Sequence, residues 1–404
     1  MKDLVWAAYG FDIKGENIWF CSYWDNFLCC YSLAEKRVIR IEEIPEHGKQ
    51  REFLFSNVAI VDTNLIALIP SNAASLFLYN IENRSFMEFP VDIPEGIHNK
   101  FCGYAKYNDY LYIFPVNCDV IIRLNLKSKE IHRISDWNNE IETTGSIMAF
   151  QMKNCICGEN IFLISAVSNK IMRFRMSDES YQIYKVGKST KYCTMTHLKD
   201  EKFLLSDDEG NCTITDLKTE NYTLYENKIP NFASHRYDVD RATFIDEFIY
   251  NDKVYLIPGQ ANMIVEFSIG QKEIRSAHIN DVMVCDIENI NKKNKIWTGE
   301  KYSFMHLIEN VCYGFMIAEK VFIKWNLDLN CISKYQLAFD FNKEDFEKIM
   351  QHILEQKIVK ENEAEYMSLN NYIKHCFLWE KQTNYKEKQY IIGESIYHKI
   401  KGSL

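Results

Sequence analysis

One short pattern recurs seven times along this 404-residue chain, and no other feature of the sequence limits its fold as strongly. The clearest copies are Tyr107-Asn108-Asp109-Tyr110-Leu111-Tyr112-Ile113-Phe114-Pro115 and Tyr250-Asn251-Asp252-Lys253-Val254-Tyr255-Leu256-Ile257-Pro258. They share Tyr-Asn-Asp, then a Tyr, then a Pro, at identical spacing. A third copy, Asn64 to Pro70, reads Asn-Leu-Ile-Ala-Leu-Ile-Pro, and weaker ones begin near Glu16, Glu159, Glu201 and Glu309. Their aligned positions are Asn17, Leu65, Tyr110, Asn160, Lys202, Lys253 and Asn310, spaced from about forty to the high fifties. Self-similarity at such a period is the signature of a repeat architecture.

Each copy sits in the same context. A second β-type run follows it: Phe27–Leu33, Leu76–Ile81, Val120–Leu126, Lys170–Met176, Cys212–Leu217, Met263–Ile269 and Val321–Leu327. A polar turn and a third run come next, such as Glu130–Ile134 or Tyr222–Tyr225. A further run approaches each copy: Leu4–Tyr9, Ser56–Val61, Cys102–Lys106, Ser146–Gln151, Tyr192–His197, Ala242–Phe248 and Tyr302–Leu307. A unit therefore has four strands. Four-stranded units stacked radially leave only short, protected edges. The expected fold is all-β: a seven-bladed propeller of four-stranded antiparallel blades over residues 1–340. A β-sandwich does not account for seven copies of one pattern. The units begin and end complete, so the ring is expected to close by packing the first blade on the last, with no swapped strand.

The pattern resembles kelch-like and related seven-bladed propellers across about residues 1–340. The resemblance is one of architecture. The Gly-Gly doublet of kelch repeats is replaced by Pro70-Ser71, Pro115-Val116 and Pro258-Gly259, and the Gly-His and Trp-Asp pairs of WD40 repeats are missing. Tyr23-Trp24-Asp25 is similar to the signature of the Tyr-Trp-Thr-Asp propellers, but occurs once and lacks the Thr. The whole is most similar to divergent bacterial propellers, which implies no residue-level function.

From Asn342 the period changes. Phe346, Ile349, Met350, Ile353, Leu354 and Ile358 recur at helical spacing, with Asn342 placed to cap and Glu344 and Asp345 in the first turn. Further helical pieces are expected at Leu369, Tyr372 and Ile373 and at Ile392, Ile396, Tyr397 and Ile400. Residues 341–404 thus read as a short α-helical tail, packed on the propeller or docking a partner.

Charge and cysteine usage narrow the classes. The net charge of −9 repels phosphate backbones, so no nucleic-acid partner is expected. No run approaches the roughly 20 apolar residues that span a bilayer, and the N-terminus does not read as a signal peptide. Thirteen cysteines, with Cys29 and Cys30 adjacent, suit a reducing cytosol better than a disulfide framework. No cofactor or metal is expected: Cys155-x-Cys157 lacks a second ligand pair, and Asp207-Asp208-Glu209-Gly210-Asn211 reads as a hairpin turn before a Ca²⁺ loop.

Candidate binding residues gather in the loops joining strands two to three and four to one, which share one face of a propeller. This face carries Asn72, Asn117, Asn169, Asp207, Asp208, Gln260 and Asn262, with His47, Arg51 and His98 in longer loops. Each of these polar residues has an alternative reading as a turn former. The recognition surface is expected to comprise Tyr23, Trp24, Asp25, Trp137, His235, Arg236 and Tyr237, residue types that suit a stacking surface with hydrogen bonds. The alternative for Trp24 and Trp137 is a core aromatic between blades. The expected function is a non-catalytic binding or scaffold propeller recognising a protein, peptide or carbohydrate through this loop face. The alternative is an enzyme, a hydrolase or lyase on sugars or peptides, with its site on the ring axis. Carboxylates and His in mutual reach on the axis would mark the enzyme; an aromatic, uncharged mouth would mark the binder.

Overall fold

A computed structural model describes residues 8–22, 27–46, 53–94, 96–137, 141, 149–187, 191–234, 242–277, 302–317 and 321–336. The described residues form seven four-stranded antiparallel sheets, each built from consecutive strands. The blades run Phe11–Glu43, Phe55–Pro90, Phe101–Ile134, Cys155–Lys185, Tyr192–Tyr225, Phe244–Ser276 and His306–Gln336. The chain divides into units Met1–Asp340 and Phe341–Leu404, and the expected helices lie outside the described residues. Among the described residues no helix is long and apolar enough to cross a membrane.

The repeat has a physical origin. Six of the seven aligned positions, Asn17, Leu65, Tyr110, Asn160, Lys202 and Lys253, each start the second strand of a blade; the seventh, Asn310, precedes Val311–Met316 by one residue. The Tyr-Asn-Asp element is the hairpin joining the first two strands. Asn108, Asn251 and Asp252 take left-handed φ angles of 52°, 47° and 60°, which Asn and Asp tolerate best after Gly. Gly15 and Gly158 serve the same turn in the first and fourth blades, both at φ 60°. Pro70, Pro115 and Pro258 end the second strand opposite Phe55, Phe101 and Phe244, so the shared sequence marks a shared register.

Two approach strands lie wholly beyond the expected runs, and the seventh, His306–Ile308, starts four residues into Tyr302–Leu307. The first is Phe11–Lys14, not Leu4–Tyr9, and the fourth is Cys155–Cys157, not Ser146–Gln151. In both cases the more apolar stretch nearby drew the assignment. In the first blade the innermost strand is instead partly polar, carrying Asp12 and Lys14.

The core lies between blades. One cluster joins Ile66, Leu68, Phe77 and Tyr79 to Trp19, Leu28 and Cys30 across the first two blades. Another joins Ile69, Leu76 and Leu78 to Leu111, Ile113 and Ile122 across the next pair. No closing strand is exchanged among the described residues. The ring shuts through aromatic packing: Phe11 meets Phe315 and Phe322 with ring centroids 5.4 and 5.6 Å apart, and Phe20 meets Phe315 at 5.5 Å. The Phe304 amide donates to the Tyr9 carbonyl across the same seam at 3.2 Å.

Candidate ligand site on the ring axis

The first strands of the first three blades touch in succession, and so do those of the fourth to sixth, which puts them at the centre of the ring. On or beside them stand Asp12, Asn57, Tyr104, Lys153, Asn154, Thr194, Thr196, Asp246, Glu247 and His306, so every blade carries polar residues on or beside its innermost strand.

Two of the three carboxylates are committed to backbone. Asp12 accepts from the Ile13 amide at 2.8 Å and, across the blade boundary, from the Ile60 amide at 2.7 Å. Asp246, 0% exposed, accepts from the Glu247 amide at 2.7 Å and from the Met305 amide of the seventh blade at 2.6 Å. Each holds two neighbouring blades at a fixed spacing. Lys153 reaches from the fourth blade to the sixth and places Nζ 2.7 Å from Asp246 Oδ1, with the Phe304 ring 5.8 Å away. Burial works against this ammonium, but Asp246 and Glu247 outweigh it and hold Lys153 above its ordinary range.

Glu247 faces the Thr194 and Thr196 hydroxyls and feels the charge of Lys153. Burial, reinforced by the charge on Asp246, pushes it up to about 8, against the opposing pull of Lys153 and of the Thr194 and Thr196 hydroxyls. Its Oε2 has no hydrogen bond of good geometry, and neither have Thr196 Oγ1 and Asn154 Nδ2. These three residues stand on neighbouring blades, the fourth, fifth and sixth. Burial lowers His306 toward the neutral imidazole; Asp12 opposes this and Lys153 adds to it. Burial likewise raises the Tyr104 phenol, with Asp12 adding to the effect. The Cys102 thiol is raised to about 12, again by burial.

The ends of the channel differ. Toward the loop face, Tyr9 packs edge-on against Phe53 and Phe304 at 5.1 and 5.5 Å, and its hydroxyl lies 3.3 Å from Met152 Sδ. This plug draws on the approach loops of four blades. Toward the hairpin end, the inner strands present Ile156, 53% exposed, with Ile13, Leu198, Ile249 and Leu307 half-buried.

Of the residues expected to form the recognition surface, Tyr23, Trp24, Asp25, His235, Arg236 and Tyr237 lie outside the described residues, as do His47 and Arg51. Trp137 is a core residue and not part of a surface. It is 0% exposed, packs on Phe150 at 5.2 Å and donates from Nε1 to the Ile134 carbonyl at 3.3 Å. Its indole fills the gap between the third and fourth blades, which satisfies both its area and its one donor.

The loop-face amides hold loops in place. Asn72 accepts from the Asn99 amide at 3.0 Å, Asn117 donates to the His98 carbonyl at 3.0 Å, and Asn262 joins Ala233 and Asn231 at 3.0 and 2.8 Å. Asp207 accepts from the amides of Glu209 and Asn211 at 3.0 and 2.9 Å and so closes the hairpin turn. Among the described residues no group of three His, Cys, Asp or Glu is placed to hold a metal ion. The described cysteines are free, and most are buried.

The axial cluster was not foreseen from the sequence, although one signal was present. Asp246-Glu247 interrupts an otherwise apolar approach run, Phe244-Ile245-Asp246-Glu247-Phe248. Two adjacent acids inside a strand expected to be central have few places to go except a channel. Lys153 gave no such signal, because it lies just outside the strand as first placed.

No family model and no curated protein matches the chain. Solved structures resemble it in fold. Virginiamycin B lyase from Staphylococcus aureus is 11% identical at a TM-score of 0.57, over 79% of this chain and 95% of that one. A streptogramin B lyase is 12% identical at 0.53, over 78% and 92%. BamB from Moraxella catarrhalis is 11% identical at 0.52, over 80% and 86%. These propellers are not specific to the kelch group, so the kelch likeness goes no further than architecture. At such identities what is shared is the fold: an all-β propeller, here of seven four-stranded blades.

Proposed function

We propose that this chain is a non-catalytic binding propeller whose ligand, a peptide or a carbohydrate, places a polar group in the axial channel. One observation carries the reading. Asn154, Thr196 and Glu247, on three adjacent blades, each leave a buried hydrogen-bonding atom without a partner of good geometry. Buried polar atoms are nearly always satisfied, and those that are not call for a bound partner or water. The remaining polar groups argue against turnover: Asp12 and Asp246 are taken up by backbone amides and Lys153 by Asp246. Among the described residues a nucleophile, a base and a group orienting that base are not assembled there.

The test is binding of the full chain to peptide and glycan arrays, alongside Asn154→Ala and Glu247→Gln variants whose cooperative unfolding shows that they are folded. Loss of binding in both variants supports the axial reading. Unchanged binding in both overturns it, and if Trp24→Ala alone abolishes binding, recognition belongs to the loops bearing Tyr23, Trp24, Asp25, His235, Arg236 and Tyr237. A change in the mass of a captured ligand overturns the non-catalytic reading.

A second reading has one observation in its favour. Glu247 is held protonated and His306 neutral near pH 7, which supplies a proton donor and an acceptor on one channel. Under that reading the chain would be a hydrolase or lyase, and Glu247→Gln would abolish turnover while leaving ligand binding in place.

A further inference from the structure

We infer that the outer edge of the fifth blade is a docking site for an extended protein segment, which adds to Asn221–Tyr225 as a further strand and carries a basic residue at each end of its paired stretch. This site belongs to the outside of the ring and is separate from the axial channel.

The outer strands are the unpaired edges of the blades, and an unpaired edge is a template for another chain unless something such as charge protects it. Six of the seven outer strands carry charge, with Arg40, Glu88, Arg133, Lys185, Arg275 and Lys334 on one apiece. The outer strand of the fifth blade, Asn221-Tyr222-Thr223-Leu224-Tyr225, carries none. Its backbone is turned to receive a partner. The Asn221 carbonyl points into the blade, where it accepts from the Thr215 hydroxyl at 3.5 Å. Successive residues of a strand aim their amides and carbonyls to opposite sides, so those of Tyr222 and Leu224 face outward. The same two side chains are 41% and 48% exposed, whereas Tyr225 is anchored on Phe267 of the sixth blade with ring centroids 5.3 Å apart. The edge thus offers outward donors, outward acceptors and apolar side chains at alternate positions. Strand addition draws its affinity from the first two and its specificity from the third.

The flanks decide the occupant. Exposed Glu220 and Glu226 bracket the strand. Glu226 has Lys228 at 3.8 Å, but both side chains are well exposed and a contact of that kind holds little. A second copy of the chain fits poorly. Paired antiparallel about Thr223, it sets Glu220 against Glu226 and Lys218 against Lys228, like charge on like at both ends. Shifted by two residues in either direction, it sets one of the acids against Tyr222 or Leu224. A segment with Lys or Arg opposite both acids, and apolar residues opposite Tyr222 and Leu224, meets each position with its complement.

Fluorescence anisotropy with labelled, capped peptides tests this on the full chain. One peptide, Lys-Thr-Val-Thr-Val-Thr-Lys, matches the edge; the other is the same with Glu at both ends. The Lys-ended peptide is expected to bind saturably and at least tenfold more tightly, and the ratio should shrink in 1 M salt, which screens charges beyond about 3 Å. Glu220→Lys combined with Glu226→Lys should reverse the preference. Leu224→Pro removes an outward amide that the blade's own ladder does not use, and should abolish binding while unfolding stays cooperative. If that variant fails to fold, Leu224→Lys serves instead and should weaken the Lys-ended peptide at least tenfold. Equal binding of the two peptides, or no binding of either at 1 mM, overturns the inference. Binding that Glu247→Gln abolishes and Leu224→Lys leaves intact belongs to the axial channel and overturns it too. Self-association in sedimentation velocity that Leu224→Lys abolishes makes the occupant a second copy, and overturns it as well.

Discussion

Replacing Glu247 by Gln should make the protein more stable at alkaline pH and leave it nearly unchanged at acid pH. In the folded state Glu247 holds its proton up to about 8. In the unfolded chain it loses the proton in the ordinary glutamate range near 4.3. A folded-state pKa above the unfolded value contributes stability that is complete below the unfolded pKa and disappears as pH rises through the folded one. The window is therefore pH 4.3 to about 8, with stability falling toward the alkaline side. At about 1.4 kcal/mol per unit, the full displacement sets a ceiling of about 5 kcal/mol. The side chain is only partly enclosed and shares the channel with Lys153, which relieves part of the cost, so about 2 kcal/mol is expected at pH 8. Gln keeps the shape and carries no charge at any pH. Thermal and urea unfolding of both proteins at pH 5, 6, 7 and 8 should show the wild type losing stability across the series and the variant losing about 2 kcal/mol less. If Glu247→Gln is the less stable protein at pH 8, or if both lose stability in parallel, Glu247 is ionised in the folded state and the reasoning fails.

Removing Lys153 should leave Asp246 buried without its cation, so Lys153→Met is expected to cost about 3–5 kcal/mol by urea unfolding. The double variant Lys153→Met/Asp246→Asn should lose clearly less than the sum of the single changes; strict additivity would mean that the ion pair is not formed. Trp137→Ala should cost about 3–5 kcal/mol through the cavity it opens between blades, with any ligand affinity retained in the folded fraction. A loss below about 1 kcal/mol would contradict its burial. Among the described cysteines, half-buried Cys157 and Cys331 should react first with a thiol reagent in the native state. Cys30, Cys102, Cys118 and Cys155, which burial raises to about 12, should label only on unfolding. Rapid native labelling of Cys102 would indicate a channel far more open than the one described.

The sequence by itself determined the architecture, because blade formation depends on local chemistry that repeats. The Tyr-Asn-Asp turn, the Pro opposite Phe and the four-run rhythm each act within about forty residues, so they can be read without knowing what lies across the ring. Charged residues on an expected inner strand, Asp246 and Glu247, were legible in the same way, though their significance was not. Only the tertiary structure decided what those charges meet. Lys153 and Asp246 lie 2.7 Å apart although they are far apart in the chain and on blades that are not neighbours, and ring closure alone sets that distance. Burial decided the fate of Trp137 likewise: a Trp in a connecting segment fits a recognition loop or an interblade plug equally well until Phe150 is seen against it. Local pattern encodes which strands form, whereas the pKa of Glu247 and the unfilled atoms beside it arise from seven strand edges converging on one axis.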